Sequence, residues 1–176
     1  EASKRQGRTV ITSAVEHPAV LRACERLEAQ GARVIYLPVN RQGLIEPEVF
    51  QNALTSDTIL VSLMHSNNET GAQMPIEAIG RILSEQDSAA VFHTDAVQSY
   101  GKTDLDMRRL PVDIVSLSAH KIHGPKGVGA LYVRGGTKLS PLLAGGGQER
   151  GFRSGTENVP GIAGFVQAVR EQSDHP

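Results

Sequence analysis

Apolar strand-like runs alternating with amphipathic helical segments predict an α/β, three-layer fold with a mostly parallel sheet covered by helices. Two further observations support it. Proline opens several of the helical segments and glycine closes the first of them, as helix ends require. Polar residues also gather just past the C-terminal ends of the apolar runs, where ligands bind in sheets of this kind.

The elements follow in order. Thr9 to Val15 reads as a strand broken by Glu16-His17-Pro18. Pro18 fits a first helical turn, and Val20, Ala23, Cys24 and Leu27 recur at helical spacing up to the closing Gly31. Ala32 to Val39 is the next strand, Asn40 to Gly43 a turn, and Pro47 to Leu54 a short helix. The strand Thr58 to His65 runs into the polar stretch Ser66-Asn67-Asn68-Glu69-Thr70-Gly71. Pro75 opens a helix carrying Ile76, Ile79, Ile82 and Leu83, and Ala89 onward is a strand ending at Asp95. The run Asp113 to Leu117 is a strand that stops abruptly at Ser118, His120 and Lys121. Gly129 to Val133 is the last strand, and Pro160 opens a helix with Ile162, Phe165, Val166 and Val169 on one face. The glycine-rich stretch Gly145 to Gly155 has no apolar period.

Composition narrows the classes of function. The 176 residues are enough for one domain with a core. Eighteen Lys and Arg against nineteen Asp and Glu offer no electrostatic case for nucleic acid or an anionic membrane surface. No apolar run approaches a membrane span, and the first residues, Glu1 to Gln6, lack a signal-peptide core. A single cysteine cannot form an internal disulfide, which fits a reducing cytoplasm. The missing initiating Met and the end at His175-Pro176 suggest an excerpt of a longer protein.

Chemistry concentrates at two strand ends. A lysine at the mouth of a buried strand needs a partner for its ammonium or a use for its amine. Lys121, with Ser118 and His120 beside it, suits an amine that forms a Schiff base with a phosphorylated aldehyde cofactor. Asp95 and Gln98 end a separate strand, and a carboxylate there keeps a cofactor's ring nitrogen protonated by charge. The same Asp also suits a turn cap. His17, Asn67 and Asn68 follow two other strands toward the same crevice. His120 with His123, and His93 with Asp95, are the conceivable metal ligands, but no third ligand stands at a diagnostic spacing. Gly124 to Gly129 lacks the Gly-Lys-Ser/Thr ending of a phosphate loop and reads as a turn that lets backbone pass close to a ligand.

Five motifs in sequence carry a family resemblance: Glu16-His-Pro-Ala-Val20, Asn67-Asn-Glu-Thr-Gly71, Asp95-Ala-Val-Gln98, Ser118-Ala-His-Lys-Ile-His-Gly-Pro-Lys-Gly127 and Arg153-Ser-Gly-Thr-Glu-Asn158. Together they resemble the cysteine desulfurases of the class V pyridoxal-phosphate aminotransferase superfamily, the group serving nitrogen fixation and iron–sulfur cluster assembly. The resemblance implies the type I pyridoxal-phosphate transferase large domain. It also implies conversion of L-cysteine to L-alanine, with sulfur passed as a persulfide to an acceptor or scaffold protein. Lys121 would hold pyridoxal 5'-phosphate as an internal aldimine and shuttle protons, and His17 would stack on the ring and assist. Asp95 would pair with the ring nitrogen, and Gln98 and Asn68 would reach the phenolic oxygen or the substrate. Ser118 and His120 would hold the phosphate, and Thr156 the phosphate of a neighbouring subunit in a homodimer. Asn67 is expected to shape its loop.

The sequence also departs from the family pattern. The persulfide-forming cysteine loop, an upstream phosphate-binding segment and the small C-terminal domain are missing, so residues 1–176 read as the central part of the large domain. Cys24, on the apolar face of a helix, reads as core filling. The alternatives are another class V lyase, such as a selenocysteine lyase, or a cofactor-binding remnant without turnover.

Overall fold

A computed structural model describes residues 8–174; Glu1 to Gln6 and His175-Pro176, read above for processing and truncation, lie outside the described residues. The chain runs β1 (Thr9–Ser13), α1 (Pro18–Ala29), β2 (Arg33–Leu37), α2 (Pro47–Ala53), β3 (Thr58–Met64), α3 (Ile76–Glu85), β4 (Val91–Asp95), β5 (Ile114–Ser118), β6 (Gly129–Val133) and α4 (Val159–Asp174). Short 3₁₀ turns occupy Ala119–Ile122 and Glu149–Gly151. Among the described residues no helix is long and apolar enough to cross a membrane.

The six strands form one sheet in the order β2-β1-β3-β4-β5-β6. Every neighbouring pair is parallel except β5 with β6, whose antiparallel ladder runs from Ile114↔Val133 to Ser118↔Gly129. The chain leaves β1 toward one side for β2 and returns to the other side for β3. The crevice between β1 and β3 is therefore the topological switch point, where the loops on either side diverge and leave room for a ligand.

Alternation along the strands divides the sheet into two unlike faces. Ile11, Val61 and Phe92 stand in register on one face, as do Leu63, Thr94 and Val115. Phe50 of α2 and Ile76, Ile79 and Leu83 of α3 join them in the main core. Thr12, Ser62 and His93 occupy the opposite face, where Cys24 of α1 reaches Thr12. Cys24 is buried, and burial pushes its thiol up, so it packs as a small apolar group, as its helical position predicts.

The last helix departs from expectation. Ile162 and Val166, assigned to a buried face, are exposed, whereas Gly161, Phe165 and Ala168 are buried. Phe165 and Ala168 form a second core cluster with Ala119 and Ile122 of the 3₁₀ turn. The glycines explain the rotation. A Cβ at Gly161 would stand 2.4 Å from Val128, and one at Gly164 would stand 2.6 Å from Pro125. α4 thus lays its smallest residues against the 124–128 loop, a contact that helical periodicity of large apolar residues does not reveal. On α1, Ala23 is likewise exposed although it shares the spacing of Cys24. Strands β1 and β3 end earlier than their apolar runs, at Ser13 and Met64.

Candidate active site

The C-terminal ends of β1, β3, β4 and β5 lie along one edge because these strands are mutually parallel. His17 follows β1, Asn67 and Asn68 follow β3, Asp95 ends β4, and Ser118, His120 and Lys121 follow from β5. Asp95 is in register with Met64 on one side and Ser116 on the other. Neighbouring strands lie about 4.8 Å apart and a pleat advances about 6.6 Å, so Ser118 lies one pleat past the residue beside Asp95.

Each position has a local cause. His17 is the N-cap of α1: its Nδ1 accepts the Ala19 N–H at 3.2 Å, and Pro18 supplies the first helical residue. An accepting Nδ1 assigns the proton of the neutral ring to Nε2, which leaves one exposed donor at this edge. Asn67 is buried and shapes its loop as expected. Its Oδ1 accepts from Glu69 N–H, Thr70 N–H and the Thr70 hydroxyl, while its Nδ2 donates to Val15 O at 3.0 Å. With Gly71 at φ +74°, the loop holds Asn68 exposed at its tip.

Asp95 fills the turn role as well as standing at the strand end: Oδ1 accepts the Val97 N–H at 2.9 Å. Gln98, on the following turn, accepts from Lys102 Nζ at 3.5 Å. Ser118 Oγ and His120 Nδ1 are 2.7 Å apart. The lysine itself lies not in open loop but in the 3₁₀ turn Ala119–Ile122, buried beneath by Ala119 and Ile122. Its chain continues through His123, which takes the left-handed conformation at φ +65°, to Gly124, where a Cβ would meet Ala119 O at 2.9 Å. Lys121 is half-buried, and its side-chain amine has no ion pair or hydrogen bond among the described residues. Thr156 is exposed on the segment leading into α4, and the strand-end set does not include it.

Sequence reasoning missed two features. His93, weighed only as a metal ligand, has both ring nitrogens engaged: Nδ1 lies 2.8 Å from Ser62 Oγ and Nε2 2.9 Å from Ser116 Oγ. Burial pushes its pKa down, so the ring is neutral, donating one hydrogen bond and accepting the other. No group of three His, Cys, Asp or Glu among the described residues is placed to hold a metal. The second feature is Glu16, 5% exposed, which accepts from Ser13 Oγ at 2.6 Å and Met64 N–H at 2.9 Å. Its one signal was a lone acid closing an otherwise uncharged run from Thr9 to Val15.

An acid, an amine, an imidazole and hydroxyl donors on one edge of a parallel sheet suit an anionic, carbonyl-bearing ring cofactor. The aminotransferase class-V family matches residues 1–173, and the chain belongs to that family. Among its relatives, the cysteine desulfurase IscS of Methanosarcina thermophila is 51% identical over 168 residues, 96% of this chain and 41% of that protein. A cysteine desulfurase of Nostoc sp. is also 51% identical over 168 residues, covering 96% of this chain and 42% of its own length. A solved NifS-like protein superposes with a TM-score of 0.94 at 44% identity, covering 97% of this chain and 47% of that one. Another, SspA in complex with cysteine, gives a TM-score of 0.89 at 45% identity, with 94% and 48% covered. The chain therefore spans less than half the length of these relatives.

Proposed function

We propose that this chain is the central, cofactor-binding part of a cysteine desulfurase that uses pyridoxal 5'-phosphate to convert L-cysteine to L-alanine and passes the sulfur on as a persulfide. The observation that carries the reading is the pairing of Asp95, at the end of β4, with the Lys121 turn at the end of neighbouring β5. The relatives' names support the substrate.

Once bound, the cofactor supplies an electron sink for the substrate's α-carbon. The residues of the chain then divide the work. Lys121 holds the cofactor's carbonyl carbon and moves protons, its half-buried amine having no competing partner among the described residues. Asp95 keeps the ring nitrogen protonated. His17 lies against the ring with its Nε2–H as the available donor, and Asn68 and Gln98 reach polar atoms of the ring or substrate. Ser118 and His120 contribute phosphate donors. Thr156 serves the partner subunit's phosphate in a homodimer of the whole enzyme, which works in the cytoplasm with a sulfur-acceptor protein.

The chain's only cysteine argues for a division of labour. Cys24 is buried and its thiol is held in the protonated form, so it is not the group that accepts sulfur. Residues 1–176 alone are expected to bind the cofactor without releasing alanine from cysteine. The test is absorbance on adding pyridoxal phosphate, then borohydride reduction and peptide mapping. A yellow band that bleaches, with the label on Lys121 and lost in Lys121→Ala, supports the reading; label elsewhere refutes it.

A further inference from the structure

Glu16 is a buried acid at the strand-end edge that the reading above leaves without a role. Its Oε1 joins two separate elements, accepting from Ser13 Oγ at the end of β1 and from the Met64 N–H at the end of β3. Its Oε2 is fully buried and has no hydrogen-bond partner among the described residues. A second tie runs alongside, from Asn67 Nδ2 to Val15 O. His17 is the next residue, and its ring is in turn fixed to α1. The turn that carries His17 is thereby bolted to the end of β3, whose Met64 is the register partner of Asp95.

Among the described residues no cation is paired with Glu16. The ion pairs among the described residues, Arg22 with Glu25 and Arg108 with Asp106, lie elsewhere. The titratable groups that face it are Asp95 from β4 and the Cys24 thiol from α1; Ser13 of β1 and Met64 of β3 carry no charge. Burial above all, and Asp95 in addition, push its carboxyl up to about 7 against the pull of its two hydrogen bonds.

We propose that Glu16 is a positioning residue that acts as a neutral acid, bolting the His17 turn to β3 beside Asp95. The inference rests on the cofactor reading above. Glu16→Gln keeps the shape and the accepting oxygen without a charge, whereas Glu16→Ala removes the bolt. In the chain carrying ¹³C-labelled glutamate, one carboxyl resonance should titrate near neutrality and vanish in Glu16→Gln, a readout that needs no cofactor. Pyridoxal phosphate titration should give Glu16→Gln an affinity close to that of the parent and Glu16→Ala an affinity about tenfold weaker. If the alanine variant does not fold, Ser13→Ala, which deletes one of the two bonds, should weaken binding in the same direction. A glutamine variant as weak as the alanine one, an alanine variant as tight as the parent, or no glutamate titrating near neutrality overturns the proposal. A parent chain that takes up no cofactor at Lys121 overturns the underlying reading instead.

Discussion

Replacing Glu16 by glutamine should change the pH dependence of stability in a calculable way. The folded chain raises this carboxyl from its ordinary 4.5 to about 7, chiefly through burial. The native state therefore binds the proton more tightly than the unfolded chain does. The resulting stabilisation is complete below about pH 4.5 and is lost as pH rises through about 7. That gap corresponds to roughly 3 kcal/mol. Glutamine has nothing to ionise, and its oxygen keeps the bonds from Ser13 and Met64. Urea unfolding followed by circular dichroism at pH 5 and pH 8 would measure the effect. The two chains should be similar at the lower pH, and the variant should exceed the parent by roughly 3 kcal/mol at the higher one. Groups common to both chains cancel in this difference. Parallel stability curves across that range would refute the idea of a protonated, buried Glu16.

Three other outcomes are expected. Phe50→Ala, at a site with 0% exposure in the main core, should cost about 3–5 kcal/mol in the same unfolding assay. His65 and His93 are held neutral by burial, with pKa values pushed below 6.5, so the stability they confer is complete above about pH 6.5 and is lost as pH falls below it; His93→Gln should flatten that acid limb. Gly161→Val should press on Val128 and loosen α4 from the lysine turn, costing roughly 1–3 kcal/mol and lowering borohydride-fixed label at Lys121.

Much of the fold is legible in the sequence because β-branched runs and proline-started helices are local signals. The order of elements, the edge where His17, Asn68, Asp95 and Lys121 gather, and the burial of Cys24 all follow from them. What escapes is what depends on register between strands. The engagement of His93 by Ser62 and Ser116 requires knowing which residues face one another across β3, β4 and β5. Glu16 bonds to a backbone N–H distant in sequence, at Met64, which no spacing rule reaches. The face of α4 escapes for another reason: close packing there depends on glycines, which a search for large apolar residues overlooks.

The reversal of β6 has a consequence for how this protein tolerates change. Because β6 runs back beside β5, the link 119–128 is anchored at both ends to one ladder, with the Ala119 N–H bonded to Val128 O at 3.1 Å and Gly129 pressed within 2.6 Å of Leu117 O if given a Cβ. A peptide tag spliced into that link would have to unzip the ladder to be accommodated, whereas one spliced into the exposed stretch 140–142, ahead of the Leu143 O bond from Ser154 N–H, would meet no such resistance. Labels and insertions for studying this molecule belong in the second stretch, and the first behaves as a single indivisible unit.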